Sequence, residues 1–115
     1  MENIEKIFEE RPWGNFKQFT KNKQSTVKII KVKAGEALSL QYHDKRSEFW
    51  HILEGQGLVT VGDDKLPASK DSEFFIPKGS NHRIEASTDM VFLEIAFGEF
   101  DEKDIVRLED KYQRS

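Results

Sequence analysis

Residues 27–55 read VKIIKVKAGEALSLQYHDKRSEFWHILEG, and this stretch decides the fold class of the chain. Its apolar residues fall in short runs, many of them alternating with polar residues, and turn signals such as Ala34-Gly35 separate the runs. Alternation of this kind is typical of β-strands with one buried face. The pattern extends on both sides of the stretch, so we predict an all-β segment from Gly14 to Phe97.

The predicted strands follow one another at a spacing of roughly ten residues for each strand and its turn, which favours a sandwich or closed barrel over alternating β-α units. No internal repeat, linker or low-complexity stretch interrupts them. We therefore predict one domain over residues 1–115. The predicted strands are residues 15–19, 26–32, 37–42, 48–54, 57–61, 73–76, 82–85 and 91–97.

The two ends of the chain have a different character. Ile4, Ile7 and Phe8 fall at helical spacing, which predicts a short amphipathic helix over residues 3–10. The charged tail after Gly98 is compatible with either a short helix or an ordered strap.

Composition excludes several classes of protein. The chain has 115 residues, 37% of them hydrophobic and 34% charged, as expected for one folded domain with a well-solvated surface. Its 18 basic and 21 acidic residues are interspersed and give a net charge of −3, so neither nucleic acid nor an anionic membrane is an expected partner. The acidic N-terminus lacks an apolar run, so we expect no signal peptide or membrane span and a cytoplasmic location.

Four residues have the chemistry and spacing of a metal site. Gln41 and His43 are two residues apart, so on a strand both side chains leave the same face. Glu48 opens the next predicted strand, and His82 follows a Pro-x-Gly turn. Each residue alone is more simply a hydrogen-bonding or solvated side chain, but their joint spacing favours one ion bound by all four. His51 has the opposite parity to Glu48 and is predicted to point away from that ion.

The chain contains no Cys, so a bound ion needs imidazole, carboxylate or amide ligands. This donor set suits one divalent ion of Zn, Mn, Co, Ni or Fe, and the sequence does not distinguish among them.

The spacing resembles the two sequence blocks of cupins, which are jelly-roll barrels, also described as double-stranded β-helices. The resemblance implies a metal with coordination positions left for water or substrate, as catalysis requires. The first block is matched by Gly35, Gln41, His43, Glu48 and Gly55, and the second by Asp71, Pro77, Gly79 and His82.

A narrower resemblance covers residues 11–114. It is to the cupin domain of type II phosphomannose isomerases, found at the C-terminus of bifunctional mannose-1-phosphate guanylyltransferase/isomerases. It implies reversible interconversion of mannose 6-phosphate and fructose 6-phosphate through a cis-enediol intermediate. A guanylyl-transfer domain does not fit in this length, so nucleotide transfer is not expected of this chain alone. The matching stretches are RPWGNF (11–16), residues 27–50, IPKGSNHRI (76–84) and DIVRLEDKYQR (104–114).

The phosphate of such a substrate needs cationic partners, and the candidates are Lys28, Arg46, Arg83 and Arg107. Lys28 shares the parity of inward-facing positions, Arg46 lies between two ligands, and Arg107 belongs to the tail that the resemblance includes. An ordinary surface charge or salt bridge remains an equal alternative for each of them.

Glu94 is the first candidate for the general base, because it matches a Glu of the family pattern on the last predicted strand. With Lys28 and Arg107 it forms the predicted catalytic set. A buried salt bridge between Glu94 and Lys28 would explain both residues without catalysis. Tyr42 and Asp44, which flank His43, are weaker candidates for the base.

The chain departs from the family pattern at Phe49, where a His is usual, at Ala96, where a Gln is usual, and at Gln113, where a Gly is usual. These departures leave room for a non-catalytic sugar- or sugar-phosphate-binding cupin. A metal site with open coordination positions is also compatible with a third function, that of an Fe-dependent dioxygenase.

The resemblance to small cupins also leads us to expect a homodimer. Small cupins often pair through an apolar sheet face and an N-terminal segment. In this sequence the residues that would serve that purpose are Ile4, Ile7, Phe8 and Trp13.

Overall fold

The structure is a computed structural model that describes Ile4 and residues 6–110. All regular secondary structure in these residues is β-strand, in agreement with the predicted all-β class. Since the described part of the chain contains no helix, none is available there to cross a membrane. The strands are β1 (Ile7–Arg11), β2 (Gly14–Gln18), β3 (Ser25–Val32), β4 (Leu40–Tyr42), β5 (Arg46–Glu54), β6 (Gly57–Val61), β7 (Asp64–Ala68), β8 (Glu73–Ile76), β9 (His82–Ala86), β10 (Met90–Gly98) and β11 (Val106–Glu109).

Two antiparallel sheets enclose the interior. One has four strands in the order β3-β10-β5-β8, and the other has five in the order β11-β4-β9-β6-β7. Apart from the β6–β7 hairpin, neighbours in each sheet are not consecutive in sequence, as in a jelly roll rather than a simple meander. Alternation fixes which side chains face inward: on β5 these are Glu48, Trp50 and Ile52, and on β9 they are His82 and Ile84.

The interior has an apolar end and a polar end. Trp50 lies between them, because its ring packs at 4.9 Å from Phe92 while its indole N–H donates to Glu48 at 3.0 Å. The polar end contains five buried ionisable residues: His43, Arg46, Glu48, His82 and Glu94. The apolar end is a continuous core of Val32, Trp50, Ile52, Val59, Ala68, Ile76, Ile84, Ala86, Met90 and Phe92.

Strands β1 and β2 form a hairpin that covers part of the outer face of the four-stranded sheet. Their turn consists of Pro12 and Trp13, since Arg11 pairs with Gly14. Phe19 packs at 5.7 Å from Phe49, which faces outward yet is only 1% exposed. The outer face of this sheet therefore has an aromatic layer of its own.

The predicted helix over residues 3–10 is wrong, because β1 begins at Ile7. Ile4, Ile7 and Phe8 do have helical spacing, but every residue of β1 pairs with a residue of β2. This pairing decides the local structure. Ile4 and Ile7 line a cavity of about 420 Å³ between the hairpin and the sheet. Phe8 remains 58% exposed, so this apolar side chain of the hairpin is open to solvent.

Most of the predicted strands are confirmed, and β6 and β8 have the predicted bounds. The tail forms β11, which pairs with β4, so the strap alternative is confirmed in the described residues. Strand β7 was not predicted. It is an edge strand that contains Pro67, and an edge is where a sheet tolerates a residue without an amide hydrogen.

Candidate metal centre

Three of the four predicted ligands form one buried cluster at the polar end of the barrel. Glu48 Oε2 lies 3.4 Å from His43 Nε2, and Glu48 Oε1 lies 3.6 Å from His82 Nε2. One ligand atom from each residue lies within 4.8 Å of the other two. Side-chain exposure is 1% for both imidazoles and 2% for the carboxylate, so water does not screen the cluster.

Each ligand is placed by a different part of the barrel. Glu48 faces inward from β5, His82 opens β9, and His43 follows the last residue of β4. The amide of Gly79 donates to the carbonyl of His43 at 2.7 Å, which ties the end of β4 to the turn before β9. The ion site thus lies where both sheets and two connecting segments meet.

Both imidazoles are oriented by backbone carbonyls. His43 Nδ1 lies 2.6 Å from the carbonyl oxygen of Asp104, and His82 Nδ1 lies 3.0 Å from that of Ser80. A carbonyl only accepts, so each Nδ1 carries a hydrogen and each Nε2 is left to face the cluster. Carbonyl-oriented imidazoles of this kind are common at protein metal sites.

The lone pairs converge on an anion, which is unfavourable unless a cation lies between them. Within the described residues, the buried Nε2 of His82 has no hydrogen-bond partner. Burial lowers the pKa of His82 below its ordinary value, although the nearby charge of Glu48 acts in the opposite direction. A neutral imidazole with an unused lone pair beside a carboxylate fits a divalent metal ion.

Gln41 lies beside this cluster. It pairs with His82 across β4 and β9, so both side chains leave the same face of the sheet. Its Oε1 accepts a hydrogen bond from Ser39 at 2.6 Å, and its Nε2 lies 3.5 Å from His43 Nε2. The side chain therefore presents nitrogen rather than oxygen to the cluster, and its role as the fourth ligand stays a prediction.

Arg46 is the cation built into the site. Its Nε donates to Glu48 Oε2 at 3.1 Å, and its Nη2 lies 3.2 Å from His43 Nε2. Only 8% of the residue is exposed. A buried guanidinium balances part of the negative charge that Glu48 brings into the barrel, and its Nη1 lies 3.5 Å from the carbonyl oxygen of Asp101.

Glu94 is the second buried carboxyl group at this end and is 7% exposed. Burial, chiefly, and the charge of Glu48 raise the pKa of Glu94 to about 7, although Lys28 and Arg46 act in the opposite direction. No ion pair joins Lys28 to Glu94 among the residues described; the Lys28 ammonium instead lies 4.5 Å from the ring centre of Phe100. The salt-bridge alternative for this pair is therefore not supported.

The remaining predicted cations differ in position. Arg107 pairs with Gln41 across β11 and β4, so the two residues share a sheet face. Arg83 alternates with the buried His82 and Ile84, and its guanidinium donates to the carbonyl of Leu38 at 3.3 Å. Because that alternation directs Arg83 out of the barrel, we remove it from the predicted phosphate contacts.

His51 also faces out of the barrel, as its parity predicted. Its Nδ1 lies 2.7 Å from Glu73 Oε2, which further accepts a hydrogen bond from Lys17 at 2.7 Å. Lys6 bonds the other oxygen of Glu73. This charged cluster attaches the β1–β2 hairpin to the sheet and takes no part in the metal centre.

Sequence reasoning missed three residues that shape the site. Trp50 forms its floor, packing edge-on against His82 at 5.6 Å between ring centres. Asp104 orients His43 through its backbone carbonyl, and Phe100 lies against Arg46 and Lys28. Trp50 could have been found from the sequence, because it has the same parity as Glu48 on the predicted strand. The backbone contact of Asp104 has no signal in the sequence.

The jelly-roll topology and a His-Glu-His cluster inside the barrel define a cupin. Solved structures agree on the fold. Capsular polysaccharide assembling protein CapF of Staphylococcus aureus matches with a TM-score of 0.66 and 25% identity, over 91% of this chain and 34% of that one. A cupin protein of Bacteroides fragilis matches with a TM-score of 0.59 and 23% identity, over 70% of this chain and 74% of that one.

The chain belongs to the mannose-6-phosphate isomerase C-terminal family, whose model matches residues 2–110. Xanthan biosynthesis protein XanB of Xanthomonas campestris pv. campestris is 37% identical over 91% of this chain and 23% of its own length. Mannose-1-phosphate guanylyltransferase ManC of Salmonella typhimurium is 34% identical over 90% of this chain and 22% of its own length. The chain thus spans less than a quarter of these relatives.

Proposed function

We propose that this domain is a metal-dependent aldose-ketose isomerase that interconverts mannose 6-phosphate and fructose 6-phosphate. The observation that carries the proposal is the convergence of two carbonyl-oriented imidazoles on Glu48, in a chain of the mannose-6-phosphate isomerase C-terminal family. Glu48, His43 and His82 would hold the ion, with Gln41 as a fourth ligand. A divalent ion at this site supplies Lewis-acid polarisation of the sugar carbonyl.

Residues of the chain would transfer the proton, bind the phosphate and exclude water. Glu94, buried beside Glu48, is the candidate to move a proton between C1 and C2 of the open-chain sugar through a cis-enediol. Lys28, Arg46 and Arg107 are the candidates to bind the phosphate. Trp50 closes the floor of the site and separates it from the apolar core, which keeps water away from the reacting carbons.

Of the three departures from the family pattern, Gln113 lies outside the described residues, and the other two fall at different places in the barrel. Phe49 faces the outer aromatic layer and does not border the site. Ala96 pairs with Glu48 and is 2% exposed, so at this position the site has a methyl group where the family usually has an amide. The second observation favours one other function, a cupin that binds a sugar phosphate without isomerising it.

One assay separates the two functions. Purified protein is loaded in turn with Zn²⁺, Mn²⁺, Co²⁺ or Ni²⁺, its metal content is measured, and it is incubated with mannose 6-phosphate. Formation of fructose 6-phosphate supports the isomerase, and Glu48→Gln should abolish it. Thermal stabilisation by mannose 6-phosphate without product, in a loaded sample, supports the binding function instead. Neither product nor stabilisation contradicts both.

We also propose a homodimer. Phe8 and Trp13, on the hairpin, are 58% and 73% exposed, so a second copy that covers them would remove apolar surface from water. Light scattering during size-exclusion chromatography should give twice the chain mass of 13.4 kDa. A monomer at micromolar concentration contradicts this proposal without affecting the isomerase.

A further inference from the structure

Two cationic groups at the mouth of the site share one aromatic ring. The ammonium of Lys28 lies 4.5 Å from the ring centre of Phe100, and the guanidinium carbon of Arg46 lies 4.3 Å from the same centre. Arg46 is fixed by Glu48 and His43, and Lys28 stands opposite Glu94 on the inward face of β3.

The segment that carries Phe100 is anchored across this end of the barrel. The carboxylate of Asp104 accepts hydrogen bonds from the amides of Asp44 and Lys45, both at 2.9 Å. The carbonyl of Asp101 lies 3.5 Å from Nη1 of Arg46. Phe100 is itself only partly buried, so its ring can leave the two cations while these anchors remain in place.

The two cations retain unused bonding capacity. Arg46 has five N–H donors, and its contacts with Glu48, His43 and the Asp101 carbonyl engage one each of its three nitrogens. Lys28 contributes an ammonium with three donors. Contact of either cation with an aromatic face is weaker than a charge-assisted hydrogen bond to a phosphate oxygen. A dianion is therefore a better occupant of this position than the ring.

We propose that Phe100 occupies the position at which an anion binds, and that the substrate's phosphate displaces the ring and binds between Lys28 and Arg46. This inference rests on the proposed function, because it assigns the residues that hold the phosphate of that substrate. It makes Phe100 a specificity-determining residue. An unphosphorylated sugar has no anionic group to replace the ring's contacts with the two cations. Phe100 therefore remains in place when such a sugar is present.

The test is calorimetric titration of the metal-loaded protein with inorganic phosphate, without any sugar. Phe100→Ala removes the competitor and should tighten phosphate binding by about fivefold or more, since each cation-ring contact contributes modestly. Phe100→Leu keeps apolar volume but has no aromatic face, and should shift the affinity in the same direction. Thermal melts of both variants establish that they are folded.

A matched pair of lysine variants tests whether Lys28 binds the phosphate. Lys28→Met should weaken phosphate binding about tenfold, whereas Lys31→Met, on the outward face of the same strand, should leave it unchanged. Unchanged or weaker binding in both folded Phe100 variants overturns the inference, and so does equal binding in the two lysine variants. Phosphate binding that responds as expected in a protein without isomerase activity rejects the proposed function alone.

Discussion

The backbone carbonyl of Asp104 accepts a hydrogen bond from Nδ1 of His43 at 2.6 Å, across 61 residues of sequence. The carboxylate of the same residue binds the amides of Asp44 and Lys45. One residue of the C-terminal strap therefore fixes both the tautomer of a candidate ligand and the loop that follows it. The strap is part of the candidate metal centre rather than a cover added to the barrel.

Asp104→Ala keeps the backbone carbonyl but removes the carboxylate that holds the amides of Asp44 and Lys45. Because the carbonyl that orients His43 is then less firmly positioned, metal affinity should fall about tenfold without unfolding of the barrel. Competition with a chromophoric chelator measures the affinity. Asp89→Ala is the control, because the Asp89 carboxylate also accepts a backbone hydrogen bond, from Ala34 at 2.8 Å, but lies at the other end of β10. Equal affinity in the two variants would contradict the role given to Asp104.

Glu94→Gln should reduce kcat for isomerisation by about 10²- to 10⁴-fold, because the amide cannot accept the transferred proton. Metal content should be unchanged, since Glu94 is not among the predicted ligands. Glu54→Gln, at the exposed end of β5, is the control and should retain full activity. A Glu94→Gln enzyme with normal kcat and a full complement of metal would remove Glu94 as the base.

Glu73 predicts how acid affects stability. Burial alone would raise the pKa of Glu73, but hydrogen bonds from Lys17, Lys6 and His51 outweigh it and lower that pKa to about 2. A carboxylate with a depressed pKa stabilises the fold above its unfolded-state pKa of about 4.5, and this stabilisation is lost as the pH falls towards 2. Asp71, which lies 3.4 Å from His51, is the other acidic group at this cluster.

Glu73→Gln should therefore be less stable than the wild type by about 1 kcal/mol at neutral pH, a value kept small because the partners are partly solvated. The difference should shrink towards zero at pH 2. Urea denaturation at both pH values measures this difference in unfolding free energy. Acidic groups that both proteins contain affect the two values equally and do not contribute to the difference. A difference that is the same at both pH values would show that Glu73 is not charged in its ion pairs.

Gly55 and Gly35 test backbone geometry. Both have positive φ, +92° and +80°, but a Cβ on Gly55 would lie 2.2 Å from the carbonyl oxygen of Asp89, whereas one on Gly35 meets nothing within 4 Å. Gly35→Ala should cost about 1 kcal/mol of unfolding free energy from strain alone, and Gly55→Ala about 3 kcal/mol or more. Chemical denaturation compares them, and equal losses would contradict the close approach at Gly55.

Alternation and turn residues were sufficient to predict most of the barrel. Strands such as β6 and β8 have strong apolar patterns and sharp turns, and their bounds were predicted correctly. The predictions failed where pairing partners decide the structure. Ile4, Ile7 and Phe8 have helical spacing, but residues 7–11 are held as a strand by β2. Strand β7 contains charged residues and a Pro, which an edge position accommodates.

Part of the candidate site was also predicted from the sequence. The parity of Gln41 and His43, and the family spacing that adds Glu48 and His82, located the cluster. Alternation would also have excluded Arg83, whose neighbours His82 and Ile84 face inward. The contributions of Asp104 and Phe100 depend on how the strap crosses the barrel end, and no local pattern in the sequence encodes that path.

The most direct test of the central claim is the metal stoichiometry of three proteins: the wild type, His82→Ala and His51→Ala. Each is stripped with a chelator, shown to be folded, titrated with Zn²⁺ or Mn²⁺, and assayed for bound metal after gel filtration. We predict one ion per chain in the wild type and in His51→Ala, whose imidazole lies outside the barrel, and affinity lower by on the order of 100-fold or more in His82→Ala. A folded wild type that binds no ion, or a His82→Ala protein that binds it as tightly as the wild type, would contradict the account.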